Sequence, residues 1–301
     1  MTPAAKPWLV GALVLLGALV VLIPVGIWLR TLTPIQDFID TYSGTPTYPA
    51  EMPVGIPAWL GWQHFLNAFF LLLILRTGFD IRSKKRPPAF WTPRRGWFGV
   101  APKRVGINVW FHVSLDLLWV LNGVVFIVLL FATGQWMRIV PTNWDVFPNA
   151  LSSAIQYASL NWPTENPWVS YNALQVLAYF AIVFVVAPLS LLTGLRLSPR
   201  WPLEARITRA LPERPIRWMH NLLLVVFILF IVQHVILVFL TGVLVNLNAM
   251  YAATGSTSAE PASMLGLAIF FFSLIVMFLG WLAARPAVLI AVAKLSGKVQ
   301  R

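Results

Sequence analysis

The chain has 301 residues, 58% hydrophobic and only 11% charged, with a mean hydropathy of +0.76, which excludes a soluble globular domain. It contains no cysteine, which excludes disulfides, thiolate-bound iron–sulfur clusters and haem attached through C-x-x-C-H. The net charge of +12 is the one feature that would suit nucleic acid, and its placement along the chain argues for a membrane instead.

Six apolar runs of spanning length, at 8–29, 59–77, 107–133, 171–193, 217–241 and 262–284, predict an all-α polytopic membrane protein. The expected organisation is an N-terminal span and outer segment over 1–58, a helical bundle over 59–245, and a last span with a basic tail over 246–301. The first run is flanked by Lys6 and Arg30. Its long core and the lack of an A-x-A site favour a retained helix over a cleaved signal peptide. Residues 30–58 carry Pro34, Pro46, Pro49, Pro53 and Pro57, a density that predicts no regular element. The connection 135–170 holds Trp136, Trp144, Trp162 and Trp168, an interfacial belt pattern, and predicts a short surface helix at 151–160. Pro188 predicts a bend in the fourth span. Leu203, Ile207 and Leu211 beside Arg206 and Arg209 predict an amphipathic helix over 203–211.

Lys6, the segments 76–104 and 196–217, and the tail from Arg285 carry 20 of the 22 Lys and Arg, whereas the remaining connections hold six of the ten acids. This is the positive-inside pattern. It places both termini in the cytoplasm and assigns the basic loops to the membrane surface rather than to nucleic acid. Spans two to five each close on Thr-Gly, at 77–78, 133–134, 193–194 and 241–242. Each pair is read as a helix stop with a left-handed glycine.

The chain has four histidines: His64, His112, His220 and His234. His220 and His234 share the fifth span. Fourteen positions put them roughly 21 Å apart along the axis and about 40° apart around it. Counting from the Thr-Gly stops, His112 and His220 each lie 22 residues before an outer glycine. His64 and His234 come out near the opposite surface. Depth therefore pairs His64 with His234 and His112 with His220. Imidazoles in hydrocarbon are costly and mark function. Two facing each other across a bundle fill both axial positions of one haem iron, leaving it only electron transfer. Phe227 lies midway between the levels. Zinc is disfavoured, because the pairs are too far apart for one four-ligand site.

The stretch His64-Phe65-Leu66-Asn67-Ala68 with Thr77-Gly78, the opening Tyr171-Asn172-Ala173-Leu174-Gln175 leading to Pro188-Leu189 and Thr193-Gly194, and the His220/His234 spacing resemble the dihaem cytochrome b subunits of membrane-bound formate dehydrogenases, nickel–iron hydrogenases and thiosulfate reductases. The resemblance covers roughly 59–242. It implies that the four histidines bind two b haems in a bacterial cytoplasmic membrane. It also implies electron transfer between the quinone pool and a catalytic oxidoreductase subunit of molybdopterin or nickel–iron type, with or without an iron–sulfur subunit.

Asp116, the one acid within a span, lies four residues past His112 on the same helix face, and Asn108 four residues before it. Both are candidates for quinone or proton contact, with a structural hydrogen bond as the competing role. Gln63, Asn67, Tyr171, Asn172, Gln175 and Gln233 are outer polar candidates, with capping as the alternative. Arg30, Arg138, Arg104 and Arg217 are candidates for haem propionates. Two other functions fit the composition: a haem-free transporter or membrane anchor, and a transmembrane reductase that lacks a quinone site.

Overall fold

A computed structural model describes residues 5–83, 86–94, 102–162, 166–199, 201, 208, 210–256 and 263–301. Packing divides the chain into two units: Met1–Val54 with Gly134–Ala181, and Gly55–Thr133 with Ile182–Arg301. The expected surface helix at 203–211 falls mostly outside the described residues.

In the first unit, α1 (Ala5–Leu29) and α2 (Thr33–Thr41) meet at an 86° bend. The α2 helix corrects the expectation of irregular chain over 30–58. Pro34 stands in its first turn, where a missing N–H is no loss and the fixed φ suits a helix start. The short helix after the third span is α5 (Val146–Ala158), starting earlier than the predicted 151–160. Its buried face combines Val146 and Ala150 with the polar Asn149, Ser152, Ser153 and Gln156. Three of these side chains serve backbone groups of the 43–44 turn. Gly44 N–H donates to Asn149 Oδ1 at 3.0 Å, Ser153 Oγ donates to Gly44 O at 3.1 Å, and Gln156 Nε2 donates to Ser43 O at 2.9 Å. Arg138, 1% exposed, donates to the carbonyls of Pro53, Pro167 and Trp168 at 3.1, 3.1 and 2.8 Å. Carbonyl dipoles thus offset the cost of burying the cation at its two terminal nitrogens, while its Nε is buried without a partner. Burial pulls its pKa below the usual guanidinium range, against the opposing pull of Tyr171 and Tyr48.

The second unit holds α3 (Ala58–Arg82), α4 (Ile107–Ala132), α7 (Glu213–Leu240), α8 (Val243–Ala252), α9 (Leu265–Ala283) and α10 (Pro286–Ser296). The helix α6 (Ala173–Leu197) begins in the first unit and ends in the second. Asn172 and Gln175 close its start with a reciprocal capping box. The disturbance expected at Pro188 appears as a π-turn over Ala181–Val186. Proline offers no N–H to the carbonyl one turn back, and widening the turn accommodates the loss. α3 packs along α4, and the later part of α6 along α7.

Among the described residues five helices are long and apolar enough to cross a membrane, α3, α4, α6, α7 and α9, with the bent α1–α2 pair as a candidate sixth. Their outer faces carry exposed Leu, Val, Ile and Phe, such as Leu121, Val128, Phe272 and Phe278, as lipid-facing surfaces do. The basic loop adds an element beyond the all-α expectation. Strands β1 (Phe90–Pro93), β2 (Val105–Gly106) and β3 (Gly297–Gln300) form an antiparallel sheet of order β2-β1-β3. Trp91, Ile107, Leu289, Ile290 and Ala293 make its core, tying the C-terminal strand to the entrance of α4.

Candidate functional site

The four histidines enter the second unit from three helices. His64 stands six residues into α3 and His234 six before the end of α7. Their ring centroids are 6.2 Å apart, tilted by 54°. Phe230, one turn before His234, stacks on its ring at 5.6 Å and 9°. Tyr251 from α8 meets His64 edge-on at 5.8 Å. Gly61 permits that approach, since a Cβ there would come within 2.4 Å of the Met250 carbonyl oxygen. His64 Nδ1 is buried with no hydrogen-bond partner.

His112 stands five residues into α4 and His220 seven into α7, close enough to each other to interact electrostatically. Each is held by the helix packed beside it. Thr77 Oγ1 lies 2.7 Å from His112 Nδ1, and Thr193 Oγ1 lies 2.9 Å from His220 Nδ1. The glycine after each threonine faces the same imidazole. A Cβ at Gly78 would sit 3.8 Å from His112 Cε1, and one at Gly194 would sit 3.5 Å from His220 Cε1.

This corrects the reading of Thr-Gly as four helix stops. Gly134 and Gly242 do have positive φ, 73° and 129°, just beyond their helices. Gly78 and Gly194 lie inside helices that continue to Arg82 and Leu197. There the pair receives a ring from the neighbouring helix. Local sequence cannot separate the two uses, because glycine serves both a left-handed cap and a close approach.

Between the two levels Phe227 is buried on α7, as expected from its position. Trp119 of α4, missed in the sequence, meets it edge-on at 6.3 Å, and its indole N–H donates to Asn67 Oδ1 at 2.6 Å. Seven residues from His112, Trp119 lies two turns along the same face, which was the available signal.

Asp116 Oδ2 is 3.7 Å from His112 Nε2, with 34% of the side chain exposed. Asn108 is half-buried in the first turn of α4. The outer polar candidates scatter. Asn172 and Gln175 are spent on the capping box, and Tyr171 O accepts from Tyr48 Oη. Gln233 is exposed, and Gln63 Oε1 is buried without a partner. The arginines proposed for propionates have other partners here. Arg138 holds its three carbonyls, Arg30 pairs with the Asn161 amide, Arg104 lies over the Phe90 ring, and Arg217 pairs with Glu213.

No curated protein and no solved structure matches the chain. Residues 55–253, about two thirds of the sequence and all four histidines, match the family model described as prokaryotic cytochrome b561. The chain therefore belongs to that family: it is a multi-pass bacterial membrane b-type cytochrome, an electron-transfer protein of haem b.

Proposed function

We propose that the chain carries two haems b, one between His64 and His234 and one between His112 and His220, and passes electrons across the membrane between a catalytic oxidoreductase subunit and quinone. The observation that carries this reading is the 6.2 Å between the His64 and His234 ring centroids. With metal–imidazole bonds of about 2 Å and about 1 Å more to each ring centre, two imidazoles on opposite sides of one metal ion have centroids about 6 Å apart. The donor set fits: neutral nitrogen ligands in an apolar bundle, with no Cys or Glu in ligand position. Among the described residues no cluster of three or more His, Asp and Glu is suited to a bare metal ion.

Bound haem would be held by these imidazoles and would supply a one-electron couple. The protein's contribution is to orient the imidazoles and exclude water from the bundle. Phe227 and Trp119 keep the interval between the two levels, roughly 21 Å along α7, packed with aromatic rings. Asp116 suits proton exchange beside the inner couple, because its carboxyl is near His112 and still a third exposed. The concentration of basic residues in the loops 76–104 and 196–217 favours those loops, and both termini, on the cytoplasmic side.

The first test is the purified chain itself, which should be red and hold two low-spin haems. A folded, colourless protein made with haem available would sink the reading and favour a transporter or anchor. Asp116→Asn should slow quinone-linked turnover with both haems loaded. Unchanged turnover would favour a reductase serving another acceptor.

A further inference from the structure

We infer that Thr77 and Thr193 are positioning residues that fix the tautomer of His112 and His220 and lower the redox potential of the inner haem. The inference rests on the dihaem reading above. Its physical basis is a proton count at each hydroxyl. Thr77 Oγ1 lies 3.0 Å from Leu73 O and 2.9 Å from Ile74 O, two acceptors without protons. A hydroxyl has one proton, and these carbonyls engage it. The oxygen is then an acceptor toward His112 Nδ1 at 2.7 Å. His112 Nδ1 thus faces an oxygen acceptor and carries the proton, leaving the Nε2 lone pair for iron. Asp116 Oδ2, 3.7 Å from Nε2, is beyond hydrogen-bond distance and does not compete for that atom.

The second imidazole is held in the same way. Thr193 Oγ1 donates toward Leu189 O at 2.8 Å and Ser190 O at 3.1 Å, and accepts from His220 Nδ1 at 2.9 Å. Gly78 and Gly194 complete the device, since each leaves open the space over which its ring lies. Both inner imidazoles therefore donate Nδ1–H into the adjacent helix. A ligand imidazole that donates its second N–H is more basic and stabilises the more positive metal state. In the outer couple His64 Nδ1 is buried without any such acceptor. The ligands of the two haems are thus held differently, at His64 at least.

The test is a redox titration of the full chain in detergent, comparing Thr77→Val and Thr193→Val with Thr77→Ser and Thr193→Ser. Haem content and the visible spectrum are recorded first. A wild-type chain without two low-spin haems fails the dihaem reading itself, separately from this inference. With both haems present, each valine variant should raise one of the two midpoints and leave the other in place, and each serine variant should titrate as wild type. Loss of one haem in a valine variant, with the serine variant loaded and unshifted, also supports the role of the hydroxyl. Unmoved midpoints in the loaded valine variants would overturn the inference. So would serine variants that behave like valine, or loss of haem from both kinds, which would assign the position to packing alone.

Discussion

The two histidine couples proposed as haem ligands, His112 with His220 and His64 with His234, have different origins in the fold. Two helix hairpins, α3–α4 and α6–α7, carry matching marks. Thr77-Gly78, His112 and Thr133-Gly134 recur as Thr193-Gly194, His220 and Thr241-Gly242. His112 and His220 are equivalent positions, each 22 residues before its left-handed glycine. Fifteen residues before those glycines stand Trp119 and Phe227, the two rings that meet between the levels. The outer couple breaks the pattern. His64 comes from the first helix of one hairpin and His234 from the second helix of the other. Their counterparts by the same counting are Phe180 and Phe126. The repeated marks place one histidine pair at symmetric positions and the other at asymmetric ones. In the symmetric pair a threonine and a glycine lie against each ring.

The largest effect expected from this contrast is on haem number. Replacing both members of one couple, as in His64→Ala with His234→Ala, should leave one haem per chain. His112→Ala with His220→Ala should leave the other. The crossed double variant, His64→Ala with His112→Ala, removes a ligand from each couple and should leave none. A pyridine haemochrome count checks all three, and one haem remaining in the crossed variant would refute the pairing.

A smaller step tests the glycines. At 3.8 and 3.5 Å from the imidazole carbon, a methyl group at position 78 or 194 makes ordinary contact. Gly78→Ala and Gly194→Ala should therefore keep both haems. Gly78→Leu and Gly194→Leu drive a branched side chain into the ring and should each lose the inner haem alone. The same leucine at Gly123, which faces open space, is the control.

Hydropathy made the spans legible, because length and apolar content are what a bilayer demands. The proximity of His64 and His234 was legible through the spacing along one helix and depth counted from the exits. That count used Gly78 as a helix stop, which it is not, and the two rings still meet because His64 is only six residues from the start of α3. The threonine contacts were not legible. They join residues 35 and 27 positions apart, and nothing in either local sequence names the partner. The three-stranded sheet escaped for the same reason: Trp91 pairs with Val299, a contact no local pattern encodes. The α2 helix escaped because proline was counted without its position, and Pro34 sits where a helix tolerates it.

Between the couples, Phe227 is buried and held edge-on by Trp119. Phe227→Ala empties that contact and should cost about 3 kcal/mol of stability, the low end for truncating a buried ring. Loss of stability with both haems retained, read by thermal denaturation followed at the haem band, would separate packing between the levels from ligation at them.

The smallest expected effect concerns Asn67, which accepts the Trp119 indole proton at 2.6 Å. Hydrogen bonds between membrane helices average about 0.6 kcal/mol, since the unfolded reference in the bilayer also finds partners. Asn67→Leu should therefore shift the thermal midpoint only slightly and leave haem content unchanged. What it should alter is the orientation of Trp119, because the indole loses its one named acceptor and only the edge contact with Phe227 still orients it. The double variant Asn67→Leu with Phe227→Ala then removes both restraints. A loss greater than the sum of the single losses would identify Asn67, Trp119 and Phe227 as one cooperating unit between the couples. Additive losses would reduce the Asn67 contact to an independent surface hydrogen bond, and the symmetry of Trp119 with Phe227 would then carry no shared function.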